Sequence, residues 1–369
     1  MNILIASDSF KGNLSSYEVG EAIKKGILSF NNTSDVEIVA VADGGEGSLD
    51  AINYAIHGEE VKQFVKDPFW RTITASYLRQ GDTAYIEMAA ASGLHLVKES
   101  QRNPEFTTSY GTGQQIKHAV KNGVKEVYLF VGGTATNDGA IGMAQTLGYK
   151  FLDKKGEEVL TIGESLNQIK NIVVPEEKLD FKLKIICDVN NPMFGPNGAA
   201  YIFAAQKGAD EEGIQRLDEG LKNLSEIIKK DLGKDVSRLK GGGAAGGVPA
   251  GMSAFFDAEI LPGTETIVEI IGLQEKIQKA DVIITGEGKL DHQTLSGKLI
   301  TGISNYTKGT KKRLIVVCGL NELSASESQS IGISKVYSLV GDGITKEDAK
   351  RKAATYLEKI GEELAEDFV

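Results

Sequence analysis

The chain has 369 residues, 41% hydrophobic and 25% charged, the composition of an ordinary globular protein long enough for more than one hydrophobic core. Its net charge of −10 comes without a long basic run, and no stretch reaches the ~18 apolar residues of a membrane span, so neither nucleic acid nor membrane is an expected partner. Two cysteines exclude a disulfide scaffold, four scattered histidines argue against a zinc site, and without a charged-then-apolar leader the expected location is the cytoplasm.

In chain order, NILIA at 2–6 reads as a fully buried parallel strand. It opens into ASDSFKG, where Asp8, Ser9 and Lys11 precede a helix whose start is marked by the capping box Ser15-Ser16-Tyr17-Glu18. Lys11 can reach a phosphate or carboxylate near that helix N-terminus; a plain surface turn is the competing reading. A second strand at 36–42 ends in Asp43-Gly44-Gly45-Glu46-Gly47, which is βαβ architecture from the first residue. The middle differs: paired strands at 72–78 and 83–88 around Gln80-Gly81-Asp82, a helix near 112–122, and strands at 125–131 and 183–187. The last third returns to the first pattern, with helices at 264–279, 297–306 and 346–366 and strands at 281–285, 313–318 and 335–340. The middle is therefore read as an insertion, with crossings near Asp67-Pro68 and Leu261-Pro262-Gly263. Residues 1–67 plus 264–369 make one discontinuous α/β domain, and 68–263 make an inserted α/β domain.

The polar residues that could do chemistry follow the apolar runs. In GGTATNDG (132–139), Gly132 and Gly133 let the backbone approach a ligand and form an anion nest. Thr134, Thr136 and Asn137 add neutral donors there, and Asp138 adds one carboxylate. Asp188 sits just past the LKIIC run and is placed to accept a hydroxyl proton or, more plainly, to cap a turn. Lys207, in Gln206-Lys207-Gly208, offers one more cation. The run KGGGAAGG (240–247), with Gly243 and Gly246, is either a flexible hinge or a backbone cradle for phosphate. Richest of all is TGEGKLDHQTLSGK (285–298), where Glu287 and Asp291 can hold a divalent cation while Lys289 and Lys298 neutralise an anion. A solvated glycine-rich loop is its alternative. No GxxxxGK[ST] motif occurs, and the first strand is followed by SDSFKG and not by a GxGxxG fingerprint, which speaks against a P-loop kinase and an ordinary dinucleotide-binding dehydrogenase.

Together these segments resemble the type I glycerate kinase family. The matching motifs are SDSFKGNLS (7–15), VADGGEGS (41–48), SYGTGQQI (109–116), GGTATNDGAIGMAQTLG (132–148), CDVNNPMFGPNGAA (187–200), QKGA (206–209), GGGAAGG (241–247) and TGEGKLDHQTLSGK (285–298), in family order over nearly the whole chain. Ser7 stands where the family usually has proline, and Ala140 where glycine is common; both changes are conservative in size.

The resemblance implies a discontinuous Rossmann-like three-layer domain with a second α/β domain inserted, and an active site in the cleft. It also implies transfer of the ATP γ-phosphoryl group to D-glycerate, giving 2-phosphoglycerate. On that reading Mg²⁺ is held by Asp43 and Glu287 with Asp291 behind them. Lys11, Lys289 and Lys298 neutralise the transferring phosphate or the substrate carboxylate, and Asp188 accepts the hydroxyl proton. The phosphates are cradled by 132–137 and 241–247, and a homodimer is carried as an expectation. The rivals are a non-catalytic sensor of a small phosphorylated acid, a phosphatase with a carboxylate nucleophile, and phosphorylation at the 3-hydroxyl. The carboxylates Asp43, Asp188, Glu287 and Asp291 speak against a sensor, because they repel an anionic ligand unless a metal is present.

Overall fold

The computed structural model describes every residue except 11, 31–32, 42–47, 178, 293, 295–298, 342 and 369. The chain forms two compact units, Met1–Asp43, Asp50–His57 and Thr264–Val369 in one, Gly44–Leu49 and Gly58–Gly263 in the other.

Runs such as Ile3–Ala6 and Val282–Ile284 have no polar face, so they suit a sheet covered on both sides. The discontinuous unit builds its sheet from five strands, all parallel, in the spatial order Lys335–Ser338, Arg313–Asn321, Val282–Leu290, Asn2–Ser7, Asp35–Ile38. The helices Ser16–Phe30 and Ala353–Glu366 cover one face, burying Val19, Ile23, Ile27, Leu357 and Leu364 with Ile5, Ile284 and Val317. They touch backbone to backbone: a Cβ at Gly26 would lie 1.9 Å from the Glu358 carbonyl oxygen. The capping box is present, Glu18 N–H donating to Ser15 Oγ and Ser15 N–H to the Glu18 carboxylate.

Several boundaries move. The strand expected at 36–42 stops at Ile38. The helix expected at 264–279 breaks at Gly272, and that at 346–366 breaks at Lys352. The strand expected to stop at 285 runs on to Leu290.

The inserted unit holds a six-stranded mixed sheet in the order Glu259–Leu261, Lys182–Ile186, Glu126–Phe130, Thr83–Glu87, Thr72–Gln80, Glu59–Lys66. The first four are parallel and the last two antiparallel. Glu59–Lys66 shifts the expected crossing. It pairs with Thr72–Gln80, so Asp67-Pro68 is a hairpin turn inside this unit and the chain enters it near residue 58. Asp67 is buried there and accepts from the N–H groups of Phe69 and Arg71 and from Arg71 Nε. The unit's longest helix, Glu211–Leu232, is absent from the expectations above; Asp210 caps its start and Gly233, at φ +70°, ends it.

The glycine run at 241–247 is buried throughout and is not a flexible hinge. Its glycines meet backbone: a Cβ at Gly243 would sit 2.1 Å from the Pro192 carbonyl oxygen, and one at Gly246 2.3 Å from Asn137 Cα. Ala140 also departs from the reading by size. It adopts φ +67°, a left-handed conformation that costs an alanine roughly 1–2 kcal/mol and a glycine little, so this departure from the family acts through the backbone.

Candidate active site

On the discontinuous unit, Val282–Leu290 and Arg313–Asn321 continue side by side past Ser7, where the neighbouring strand ends. Glu287 and Lys289 are therefore on a strand, opposite Cys318 and Leu320, and not in the loop the glycines suggested. Those glycines allow close approach of the strands. A Cβ at Gly286 would lie 2.1 Å from the Val317 carbonyl oxygen, and one at Gly319 2.5 Å from that of Gly288. Alternation puts Glu287 and Lys289 on one side and turns Leu290 into the core. Cys318, beneath them, is a buried thiol whose pKa is pushed up to about 12 by burial; Cys187 is half-buried, and the two cysteines form no disulfide.

Asp8 follows the Asn2–Ser7 strand, and its N–H donates to the Gly286 carbonyl at 2.9 Å. Asp8, Glu287, Lys289 and Asp291 thereby line one cavity of about 770 Å³. This is the topological switch point of the sheet. From Asn2–Ser7 the chain proceeds to the strand on one side, and from Val282–Leu290 to the strands on the other, which opens a crevice outside their carboxyl ends. Lys289 Nζ lies 2.8 Å from Glu322 and 3.1 Å from Asp291, and its hydrogen bonds first to Glu322 and then to Asp291 raise its pKa. It stays charged, but with carboxylate partners already in place. Thr294 donates its hydroxyl to Glu287.

Among the described residues no group of three or more His, Cys, Asp or Glu is placed to hold a metal. Mg²⁺ does not need one, since it is commonly bound by one or two carboxylates together with substrate phosphates and water. Asp8 and Glu287 in one cavity supply that oxygen donor chemistry, and the residues present fit the ion. Of the expected site residues, Lys11, Asp43 and Lys298 lie outside the described residues.

On the inserted unit, Gly132 is partly exposed and Gly133 exposed, with Gly133 at φ +67°. The side chains that follow turn inward. Asp138 is fully buried and accepts from Ser109 N–H and Oγ at 2.8 and 2.7 Å and from the N–H groups of Ala140 and Gly142. Burial raises its pKa against the opposing pull of those bonds. Thr134, Thr136 and Asn137 are enclosed with it, and among the described residues the Thr136 hydroxyl and both ends of the Asn137 amide make no hydrogen bond.

Lys207, 3% exposed, was read as a cation on offer; it is enclosed too, donating to Thr134 Oγ1 at 3.2 Å and to the Thr136 carbonyl at 2.7 Å. Burial lowers its pKa from 10.5 to about 8, partly offset by Asp138. The folded state therefore binds fewer protons than the unfolded chain between these values, and stability rises with pH across that window. Relative to Lys207→Met, the wild type should gain up to roughly 3 kcal/mol from pH 8 to 10.5. Denaturant melts of both proteins on either side of the window check this; a pH-independent difference would contradict it.

Asp188 lies just beyond the Lys182–Ile186 strand, half-buried, and its Oδ1 accepts from Gly263 N–H at 2.7 Å. The loop after it packs on the glycine run, with Gly243 N–H donating to Asn191 O at 2.9 Å.

A model of the glycerate kinase family matches residues 3–369. The chain belongs to the glycerate kinase family. Among its relatives, the glycerate 2-kinase of Escherichia coli K12 is 41% identical over 96% of this chain and 94% of its own. The glycerate kinase of Halalkalibacterium halodurans is 38% identical over 98% of this chain and 97% of its own. A crystal structure from Salmonella typhimurium LT2, provisionally described as glycerate kinase 2, is 38% identical with a TM-score of 0.88, covering all of this chain and 98% of that one. As a glycerate kinase family member the chain is an enzyme, a kinase that transfers a phosphoryl group. Asn13, Lys346 and Lys350 also line the cavity and were not singled out in the sequence; the signal was Lys346 and Lys350 four apart behind a strand, absorbed there into a long amphipathic helix.

Proposed function

We propose that this chain transfers the γ-phosphoryl group of ATP to the 2-hydroxyl of D-glycerate, releasing ADP and 2-phosphoglycerate. The observation that carries the reading is the cavity of carboxylates and lysines at the switch point of the parallel sheet, in a chain that aligns along nearly its whole length with a glycerate 2-kinase. Phosphoryl transfer asks a protein for positioning and charge neutralisation, and this residue set suits both.

In this reading Glu287, with Asp43 and Asp291, holds Mg²⁺, and Asp8 joins them. The ion, when bound, supplies charge neutralisation on the phosphate oxygens. Lys289, Lys11 and Lys298 balance the transferring phosphate and the acid's carboxylate, Lys289 by exchanging Asp291 or Glu322 for the ligand. Asp188 orients the hydroxyl and accepts its proton. Of the two glycine-rich segments, the exposed backbone of Gly132 and Gly133 is retained for phosphate contact. Gly243 and Gly246 are occupied in packing, and Asp138 anchors the turn from inside. No helix among the described residues is long and apolar enough to cross a membrane. We place the enzyme in the cytoplasm, as a homodimer, acting on small molecules alone.

Phosphorus NMR of the product tests substrate, reaction and position together. The 2-phosphate ester couples to the single proton on C2 and gives a doublet, whereas the 3-ester couples to two protons and gives a triplet. A doublet that appears only with ATP, Mg²⁺ and D-glycerate is the expected result. A triplet would move the reaction to the 3-hydroxyl, absence of ATP consumption would favour a sensor, and nucleotide-free loss of phosphate from an ester would favour a phosphatase.

A further inference from the structure

The cavity on the discontinuous unit is two-sided. Asp8, Glu287, Asp291 and Lys289 lie on it, and so do Leu299, Ile300, Leu320, Leu339 and Val340. Leu299, Ile300 and Leu339 are themselves buried, so Leu320 and Val340 form the open apolar part of the lining; D-glycerate, with a carboxylate and two hydroxyls on three carbons, has no apolar face to cover them. Of the two substrates in the proposed reaction, only the nucleotide has one. Leu320 and Val340 are half-exposed, and apolar area left to water in a concave site is area that a planar base covers favourably. The volume, about 770 Å³, falls within the ~300–1,000 Å³ of small-molecule and cofactor sites.

Two further lysines line the same cavity. Lys346 and Lys350 are one turn apart on the helix Lys346–Arg351, hence on one side of it. Asn13 Nδ2 donates to the Lys350 carbonyl at 2.9 Å and ties that helix to the segment after Asp8. Among the described residues neither ammonium group has a carboxylate partner, in contrast to Lys289.

We infer that this cavity is the nucleotide site, with the adenine base against Leu320 and Val340 and the polyphosphate neutralised by Lys346 and Lys350. The inference rests on the kinase reading and deepens it, since it gives the nucleotide base a place that the reading had not assigned.

Two measurements on the full-length protein test it. Calorimetric titration with MgADP should show affinity falling about tenfold in K346A/K350A, the loss of two ion pairs, while adenosine binds as to the wild type. Unchanged MgADP affinity would overturn the phosphate assignment. Photolabelling the wild type with 8-azido-ADP, which needs no substitution, should mark peptides within 299–340. Labelling of 132–138 or 241–247 instead would overturn the base assignment and leave the kinase reading standing. A wild type that binds no nucleotide at all would remove both.

Discussion

Asp188→Asn is expected to lower kcat by ~10²–10⁴-fold, the usual worth of general-base assistance, while nucleotide affinity survives. The hydroxyl of glycerate is a poor nucleophile, and a carboxylate that orients it and takes its proton acts as the new bond forms. The structure makes the substitution clean. Asp188 Oδ1 also accepts from Gly263 N–H at 2.7 Å, a bond asparagine retains through its own carbonyl oxygen. Asp188→Ala loses the tether as well and should cost an additional ~1 kcal/mol of stability. Measuring kcat, the ADP dissociation constant and thermal stability in both variants separates the roles. If kcat is unchanged in the asparagine variant, Asp188 only holds Gly263. If nucleotide binding collapses in it, Asp188 belongs with the metal and nucleotide groups.

Glu287→Gln should reduce turnover by ~10²-fold or more, equivalent to a few kcal/mol of electrostatic stabilisation, with partial recovery at high Mg²⁺. Glutamine keeps the side chain's size and the oxygen that accepts from Thr294, so the fold of the 287–294 segment should persist. The negative charge is removed, and one acceptor oxygen becomes an amide donor. Wild-type-like turnover would remove Glu287 from the metal site, and a loss insensitive to Mg²⁺ would point to a role in positioning.

The fold class was legible in the sequence because fully apolar runs such as NILIA and LIVVC have few stable homes other than a covered parallel sheet. The helix Glu211–Leu232 and an edge strand escaped. Glu59–Lys66 is an edge strand whose side chains are largely exposed, so it carries charge where buried strands carry apolar residues, and Asp67-Pro68 behind it read as a boundary. Glycine misled twice for one physical reason. Gly286, Gly243 and Gly246 looked like loop or hinge residues, yet each lies where the chain passes too near its own backbone for a side chain. Composition cannot separate a glycine kept for freedom from one kept for closeness.

For the site, motifs located the chemistry better than they divided it. Glu287, Lys289 and Asp291 do line one cavity. Thr134 and Asp138, equally polar on the page, turn inward because Lys207 and Ser109, far off in sequence, supply their partners. Lys346 and Lys350 went unnoticed because nothing local sets them apart from any solvated helix face.

The pairing of Ile3 with Val282 sets an order for biosynthesis. A nascent chain has made all of Gly58–Gly263 before the parallel neighbour of its first strand leaves the ribosome, so the inserted unit matures first while Ile3–Ala6 waits without that partner. That unit then acts as a splint. Its first strand, Glu59–Lys66, and its last, Glu259–Leu261, occupy opposite edges of the same six-stranded sheet. Folding thus replaces a long wandering segment with a fixed span of roughly 24 Å, five inter-strand steps of ~4.8 Å. The entropy of bringing the two distant halves of the other sheet together is largely settled before they meet.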